Sequence, residues 1–210
     1  MLPKAVIMLS GGLDSAVAMA DARSRYGALQ AILFDYGQAS GESQIASARR
    51  LCAHYDVPLE IVDVSGLSRN FAGLTDDITM ISGVTEHACN CPHALFGLAS
   101  TFAVLVKADR LVVGVNQDDV RDLGDAGAYF ANYGSTLSAL QDVEFAFDCP
   151  LLDKSKASVV SEARTAGVPM ELTWSCREGQ RRHCGTCPEC KQRRAAFADA
   201  GIEDPTEYVV

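Results

Sequence analysis

The chain has 210 residues, 48% of them hydrophobic and 21% charged, with a formal net charge of −9. That length suits one domain with a sizeable core and a modest appendage. The acidic balance lacks the basic footprint of a nucleic-acid binder, and without a run of about 18 apolar residues no membrane span is expected.

In chain order, residues 4–9 form a continuous apolar run ended by Ser-Gly-Gly, the pattern of a strand buried on both faces. The start, MLPKAVIML, runs straight into the glycine loop and lacks the basic start, long apolar core and small-residue cleavage site of a leader, so no secretory signal is expected and the compartment is read as cytoplasmic. Residues 14–26 read as a helix, 29–37 as a second strand, 40–56 as a second helix and 58–65 as a third strand. This alternation implies βαβ units and a parallel sheet. From Ser65 to about Cys91 the pattern breaks into Gly, Ser, Asp and Thr, a long connection of the kind that often carries function. Residues 93–107 make an almost wholly apolar helix, and 109–116 a fourth strand running into a loop rich in Asp and Gly. Residues 129–141 read as a helix, 143–152 alternate like a strand, and 154–167 form a helix ending at Gly167. The expected division is an α/β domain over 1–170 and a C-terminal module over 171–210 packed on it.

The first strand-to-helix junction reads Ser10-Gly11-Gly12-Leu13-Asp14-Ser15. Ligands of parallel α/β sheets sit beyond the C-terminal strand ends, and the first N–H groups of a helix attract anions. Two glycines permit close approach, and Ser10 and Ser15 add hydroxyls, so the loop reads as a phosphate cradle. It carries neither the lysine of a Walker loop nor the G-x-G-x-x-G of a dinucleotide fold. The bland alternative is a tight turn with Asp14 as a helix cap.

Of eight cysteines, Cys176, Cys184, Cys187 and Cys190 cluster near the C-terminus. Four thiolates at short spacing suit one tetrahedral, structural zinc ion; an iron–sulfur cluster is the alternative. Gly185 allows a sharp bend between ligands, and His183 is read as a surface or supporting residue. The basic stretches REGQRRHC and CKQRR around these cysteines are read as solubilising charge, with a local anion contact as the other possibility. Cys52 and Cys149 are read as core residues, and Cys89 and Cys91 as packing rather than a second metal or nucleophilic site.

SGGLDS resembles the pyrophosphate loop of the N-type ATP pyrophosphatases, which activate a carboxyl or carbonyl oxygen by adenylation. LTWSC (172–176), CGTCPECKQRRAAF (184–197) and AGIEDPTEY (200–208) resemble the C-terminal end of the 7-cyano-7-deazaguanine synthase family. FDYGQ (34–38), LTDD (74–77), GVNQDD (114–119) and PLLDKSK (150–156) extend that resemblance along the chain. It implies an adenine nucleotide alpha-hydrolase-like, Rossmann-like parallel sheet flanked by helices, with a small four-cysteine zinc module. It also implies an ATP- and Mg2+-dependent ligase that converts a 7-deazaguanine carboxylate, with ammonia, to amide or nitrile in queuosine biosynthesis. Members commonly pair, so a homodimer is implied by analogy.

Carried onto this sequence, the resemblance has Ser10, Gly11, Gly12, Leu13, Asp14 and Ser15 hold the phosphates of ATP. Leu9, Phe34 and Tyr36 border adenine, Asp14 binds magnesium or fixes the loop, and Lys156 stabilises developing phosphate charge. Asp118 and Asp119 bind magnesium or orient substrate; ordinary loop carboxylates are the alternative. Trp174 either stacks on a flat purine or anchors the metal module.

Two segments depart from the family pattern. The helix at 93 is preceded by EHACNCPH (86–93) where the family carries an Arg-Asn pair, which removes the side chain best suited to a carboxylate. The loop after GVN also differs, through VRDLGDAGAYF (120–130). Arg121, or a protonated His93, is the expected substitute for the lost charge. The departures keep open the same adenylation chemistry on a different carboxylate or larger partner, or a non-catalytic nucleotide-binding relative. A tRNA thiolation enzyme is disfavoured by the charge and the tail.

Overall fold

The computed structural model describes residues 3–68, 93–121, 124–141 and 144–209. Its elements are β1 (Lys4–Met8), α1 (Leu13–Arg25), β2 (Ala28–Asp35), α2 (Gly41–Tyr55), β3 (Leu59–Asp63), α3 (Ser65–Ser68), α4 (His93–Leu105), β4 (Arg110–Val113), α5 (Ala126–Gln141), β5 (Ala146–Asp148), α6 (Lys156–Thr165) and α7 (Pro188–Asp199). The strands form one parallel sheet in the order β3-β2-β1-β4-β5. Parallel neighbours need crossovers, and the helices supply them on both faces.

Side-chain alternation sorts the core into two layers. Ala5, Ile7, Leu33 and Val112 face α1, α2, α6 and α7, where Val17, Leu51, Val160 and Phe197 meet them. Val6, Ile32, Leu111 and Val113 face α4 and α5, against Phe96, Ala99 and Phe130. Both faces of β1 are buried, as its unbroken apolar run requires. None of the helices is long and apolar enough to cross a membrane, among the described residues.

Several boundaries differ from the sequence reading. β4 ends at Val113 instead of 116, because a Cβ on Gly114 would lie 2.8 Å from Ser15 N and Cα; strand pairing gives way there to a contact with the start of α1. α5 starts at Ala126 instead of 129, because the Asp125 carboxylate accepts the Ala128 N–H (2.8 Å) and starts the helix early. β5 shrinks to three residues, since Pro150 offers no ladder N–H and two turns follow it. The tail holds a regular helix, α7, that begins with Pro188 at its first turn. Ala196 and Phe197 of α7 lie in the main core beside α1 and α6. LTDD (74–77), Cys89, Cys91 and the segment replacing the Arg-Asn pair lie outside the described residues.

Candidate active site and cysteine cluster

The sheet order reverses between β1 and β4, where strands on either side lead their chains away in opposite directions. A crevice opens at such a point beyond the C-terminal strand ends. The loop from Leu9 to Ser15 leaves β1 at this point and the loop from Gly114 to Arg121 leaves β4, and the two touch where Gly114 meets Ser15.

Gly11 has φ +79°, and a Cβ there would meet the Gln44 carbonyl oxygen of α2 at 2.6 Å. Its own carbonyl is bound by the Trp174 N–H (2.8 Å) and approached by the Ser47 hydroxyl (2.8 Å), which also reaches the Leu172 carbonyl. The loop is thus clamped between α2 and the segment leading to the cysteines. Gly12 caps α1 without a side-chain hydrogen bond, so the first-turn N–H groups remain available to an anion. Ser15 donates to the Gly12 carbonyl (3.0 Å), and its oxygen lies 3.2 Å from that of the exposed Ser10. Leu13 is buried in the core.

Asp14, one residue into α1, forms an ion pair with Lys156 at the first position of α6. A cation at a helix N-terminus opposes the helix dipole, so local preference does not explain Lys156; Asp14 does. Ser155 caps α6 by accepting the Ser158 N–H. The other Asp14 oxygen accepts Asn116 Nδ2 (3.2 Å). Asn116 is 0% exposed. Its Oδ1 accepts the N–H groups of Asp118 (2.8 Å) and Asp119 (3.3 Å), and its own N–H donates to the Asp119 carboxylate (3.0 Å). The Gln117 N–H donates to the Lys154 carbonyl (3.0 Å), tying this loop to the one carrying Lys156.

Asp119 is open to solvent on one side, yet its carboxyl is packed round by protein. Desolvation and then the Asp14 charge raise its pKa above the usual carboxylate range, against Lys156 and the Asn116 N–H, which lower it. Asp118 pairs with the exposed Arg121 (2.7 Å), which places Arg121 beside the crevice with its charge already matched. His93 opens α4, and its side chain lies outside what the structure describes.

Leu9 (1% exposed) and Phe34 (7%) lie in the core on opposite faces of the sheet, so what they offer the crevice is main chain. Tyr36 is half-buried at the end of β2. Its N–H donates to Gln38 Oε1 (3.0 Å), and Gln38 in turn donates to Gln44 (2.8 Å). Trp174 is buried, its indole N–H bonded to the Cys176 carbonyl (2.7 Å) and its ring 4.2 Å from that of His183. This arrangement supports the anchor role over stacking on substrate. His183 is buried rather than superficial: Nε2 accepts the Ser175 N–H (3.0 Å), and burial, with Arg193, depresses its pKa to about 4.

The Sγ atoms of Cys176, Cys184, Cys187 and Cys190 all lie within 4.8 Å of one another and all four residues are buried, a donor set able to hold one metal ion. Cys184 Sγ accepts from the Thr186 hydroxyl (3.6 Å) and the Cys187 (3.2 Å) and Thr186 (3.4 Å) N–H groups, which pull its thiol down to about 6. Cys187 is the N-cap of α7 and Cys190 lies within its first turn. Beside it, the buried Arg193 donates to Thr173 (2.8 Å), Ser175 (3.0 Å), the Met170 carbonyl (3.0 Å) and Asp204 (3.3 Å). Cys52 and Cys149 stand apart, their thiols raised to about 11 and about 12 by burial.

Sequence reading passed over Asn116, Gly114, Ser47 and Arg193. Asn116 and Gly114 lay in view within GVNQDD at a strand end. Ser47 gave no signal inside an ordinary polar helix face, and Arg193 was hidden in a basic run.

Solved structures with this fold include an NMN synthetase from Francisella tularensis (TM-score 0.58, 14% identity, 96% of this chain and 79% of that one). The NH3-dependent NAD synthetase of Campylobacter jejuni (TM-score 0.55, 17% identity, 82% and 67%) is another. A third is the U34-tRNA thiolase NcsA of Methanococcus maripaludis with its [4Fe-4S] cluster (0.53, 19%, 94% and 67%). Among curated proteins, the 7-cyano-7-deazaguanine synthase of Methanothermobacter thermautotrophicus is 31% identical over 98% of this chain and 99% of its own. That of Rhizobium leguminosarum bv. trifolii is 32% identical over 98% and 92%. Residues 4–201 match the family described as queuosine biosynthesis protein QueC, and the chain belongs to that family.

Proposed function

We propose that the chain is an ATP-dependent ligase that converts a 7-deazaguanine carboxylate and ammonia to the amide or nitrile, releasing AMP and pyrophosphate. The observation that carries this reading is the uncapped start of α1 beside the Asp14–Lys156 pair, at the sheet's switch point, in a chain of this family. A carboxylate is a poor electrophile. Its oxygen attacks the α-phosphorus of ATP, pyrophosphate leaves, and ammonia then displaces AMP to give the amide. In a second round the amide oxygen attacks a second ATP and departs on AMP, leaving the nitrile.

In this scheme Gly11, Gly12, Leu13 and Ser15 hold the departing pyrophosphate through main-chain N–H groups and a hydroxyl, with Ser10 beside them. Lys156 leaves Asp14 to meet the charge that grows on the phosphates. Asp14, with Asp119 at the crevice edge, offers the hard oxygen donors that Mg2+ prefers, and the ion would shield the phosphate charge there. The main chain of Leu9 and Phe34, with Tyr36, borders adenine; Asp118 and Arg121 face the acid. The cysteines hold zinc: tetrahedral bonds of about 2.3 Å place sulfurs about 3.8 Å apart, and Cys184 and Cys190 Sγ lie 3.9 Å apart. The replaced segments at 86–93 and 120–130 favour a second reading, the same adenylation applied to a different acid.

ATP–pyrophosphate exchange tests both. With 7-carboxy-7-deazaguanine the wild type is expected to exchange label and, with ammonia, to form nitrile; Asp14→Ala is expected to lose at least about 100-fold in exchange while remaining folded. Exchange with another acid only selects the second reading, and ATP binding without exchange for any acid refutes both.

A further inference from the structure

Asn116 is fully buried, and its amide has only one workable orientation. The oxygen faces the N–H groups of Asp118 and Asp119, so Nδ2 faces Asp14 Oδ1 at 3.2 Å. What brings it within reach is the bare contact of Gly114 with the backbone of Ser15, which no Cβ would permit.

The two Asp14 oxygens therefore have different partners. Lys156 holds one with a flexible, charged arm; Asn116 holds the other with a short, neutral and fully enclosed one. On the reading above, Lys156 must release Asp14 when phosphate arrives. A carboxylate left without a partner turns among its rotamers. A neutral donor restrains it without cancelling its charge, and leaves the second oxygen to a cation. We propose that Asn116 is a positioning residue that keeps the Asp14 carboxylate aimed into the crevice after Lys156 has left it. This inference rests on the proposed role of Asp14 toward magnesium-bound ATP.

The test is nucleotide binding by calorimetry to the full chain, with Mg2+ titrated at fixed ATP and again with a chelator in place of Mg2+. In Asn116→Ala the Mg2+ needed for half-saturation is expected to rise about 10-fold or more, the usual effect of losing a partner that orients a metal-binding side chain. Binding of metal-free ATP is expected to stay within about threefold of wild type, because the phosphate loop itself is untouched. A merely structural role would weaken both forms alike, and that result overturns the proposal, as does an unchanged Mg2+ requirement. Should Asn116→Ala fail to fold, Asn116→Ser keeps a neutral acceptor oxygen for the Asp118 N–H group on a side chain too short to hold Asp14. It carries the same prediction. Wild-type chain that binds ATP with no Mg2+ dependence refutes this inference alone; wild-type chain that binds no ATP refutes the parent reading and this one with it.

Discussion

At Gly11 the backbone φ is +79°, and an added Cβ would lie 2.6 Å from the Gln44 carbonyl oxygen and 3.0 Å from Ser47 Cβ. The left-handed conformation costs a side-chain-bearing residue about 1–2 kcal/mol, and the clash with a main-chain atom adds to it, because α2 cannot yield without disturbing β2 and β3. Gly11→Ala is expected to destabilise by about 2–4 kcal/mol, lowering the melting temperature by roughly 5–15 °C, and to abolish ATP binding. Calorimetry of the free and ATP-mixed variant checks both, and a variant that melts with the wild type contradicts the clamp. Gly12 differs: its φ is −79°, and a Cβ would find its nearest neighbour, Ser10 Oγ, at 3.3 Å. The pair was legible as a tight strand-to-helix junction, because two glycines fall between an apolar run and a helical pattern. Which glycine is indispensable was not, since that depends on α2, whose approach no local pattern records.

At the scale of elements, the parallel sheet was readable because apolar stretches such as Ala5–Met8 in β1 and Leu111–Val113 in β4 alternate along the chain with segments of helical pattern. α7 was not readable, because its buried positions include a cation: Arg193, Ala196 and Phe197 face inward, and the helix looks polar in sequence. Arg193 is satisfied by a hydroxyl on each of Thr173 and Ser175, the Met170 carbonyl and Asp204, so it staples α7 to the segment carrying Trp174. Against the burial that would raise it, hydrogen bonds from Tyr208 and Thr206, together with Arg193, hold the Asp204 carboxyl below its usual range. Removing one member of such a pair strands the other, at a cost of about 3–5 kcal/mol. Arg193→Met is expected to lose that much in denaturant unfolding. Adding Asp204→Asn removes the stranded charge, so the double variant should be less destabilised than the sum of its singles. Strict additivity would mean that Arg193 acts through its other partners alone.

The molecule joins its two sites by one short segment. Cys176 is two residues from Trp174, whose N–H holds the Gly11 carbonyl, and Leu172 shares Ser47 with that same carbonyl. Metal binding to a cluster of buried cysteines expels thiol protons, so metal affinity and folding of such a module are linked. Loosening the cluster should therefore reach the phosphate loop. Trp174 is the chain's single tryptophan and is buried at 8% exposure against His183, so its fluorescence reports on this joint without added label. Removal of the metal by a chelator, or Cys187→Ser, is expected to move Trp174 emission to longer wavelength as the ring meets water. It should also lower the melting temperature and weaken ATP binding by at least about 10-fold. Restoring zinc to the chelated wild type should reverse all three, whereas Cys187→Ser, with three sulfurs left, should recover only in part. A module that loses its metal and shifts its fluorescence while ATP binds as before would show that the Trp174–Gly11 hydrogen bond is a contact of packing and not a path between the sites.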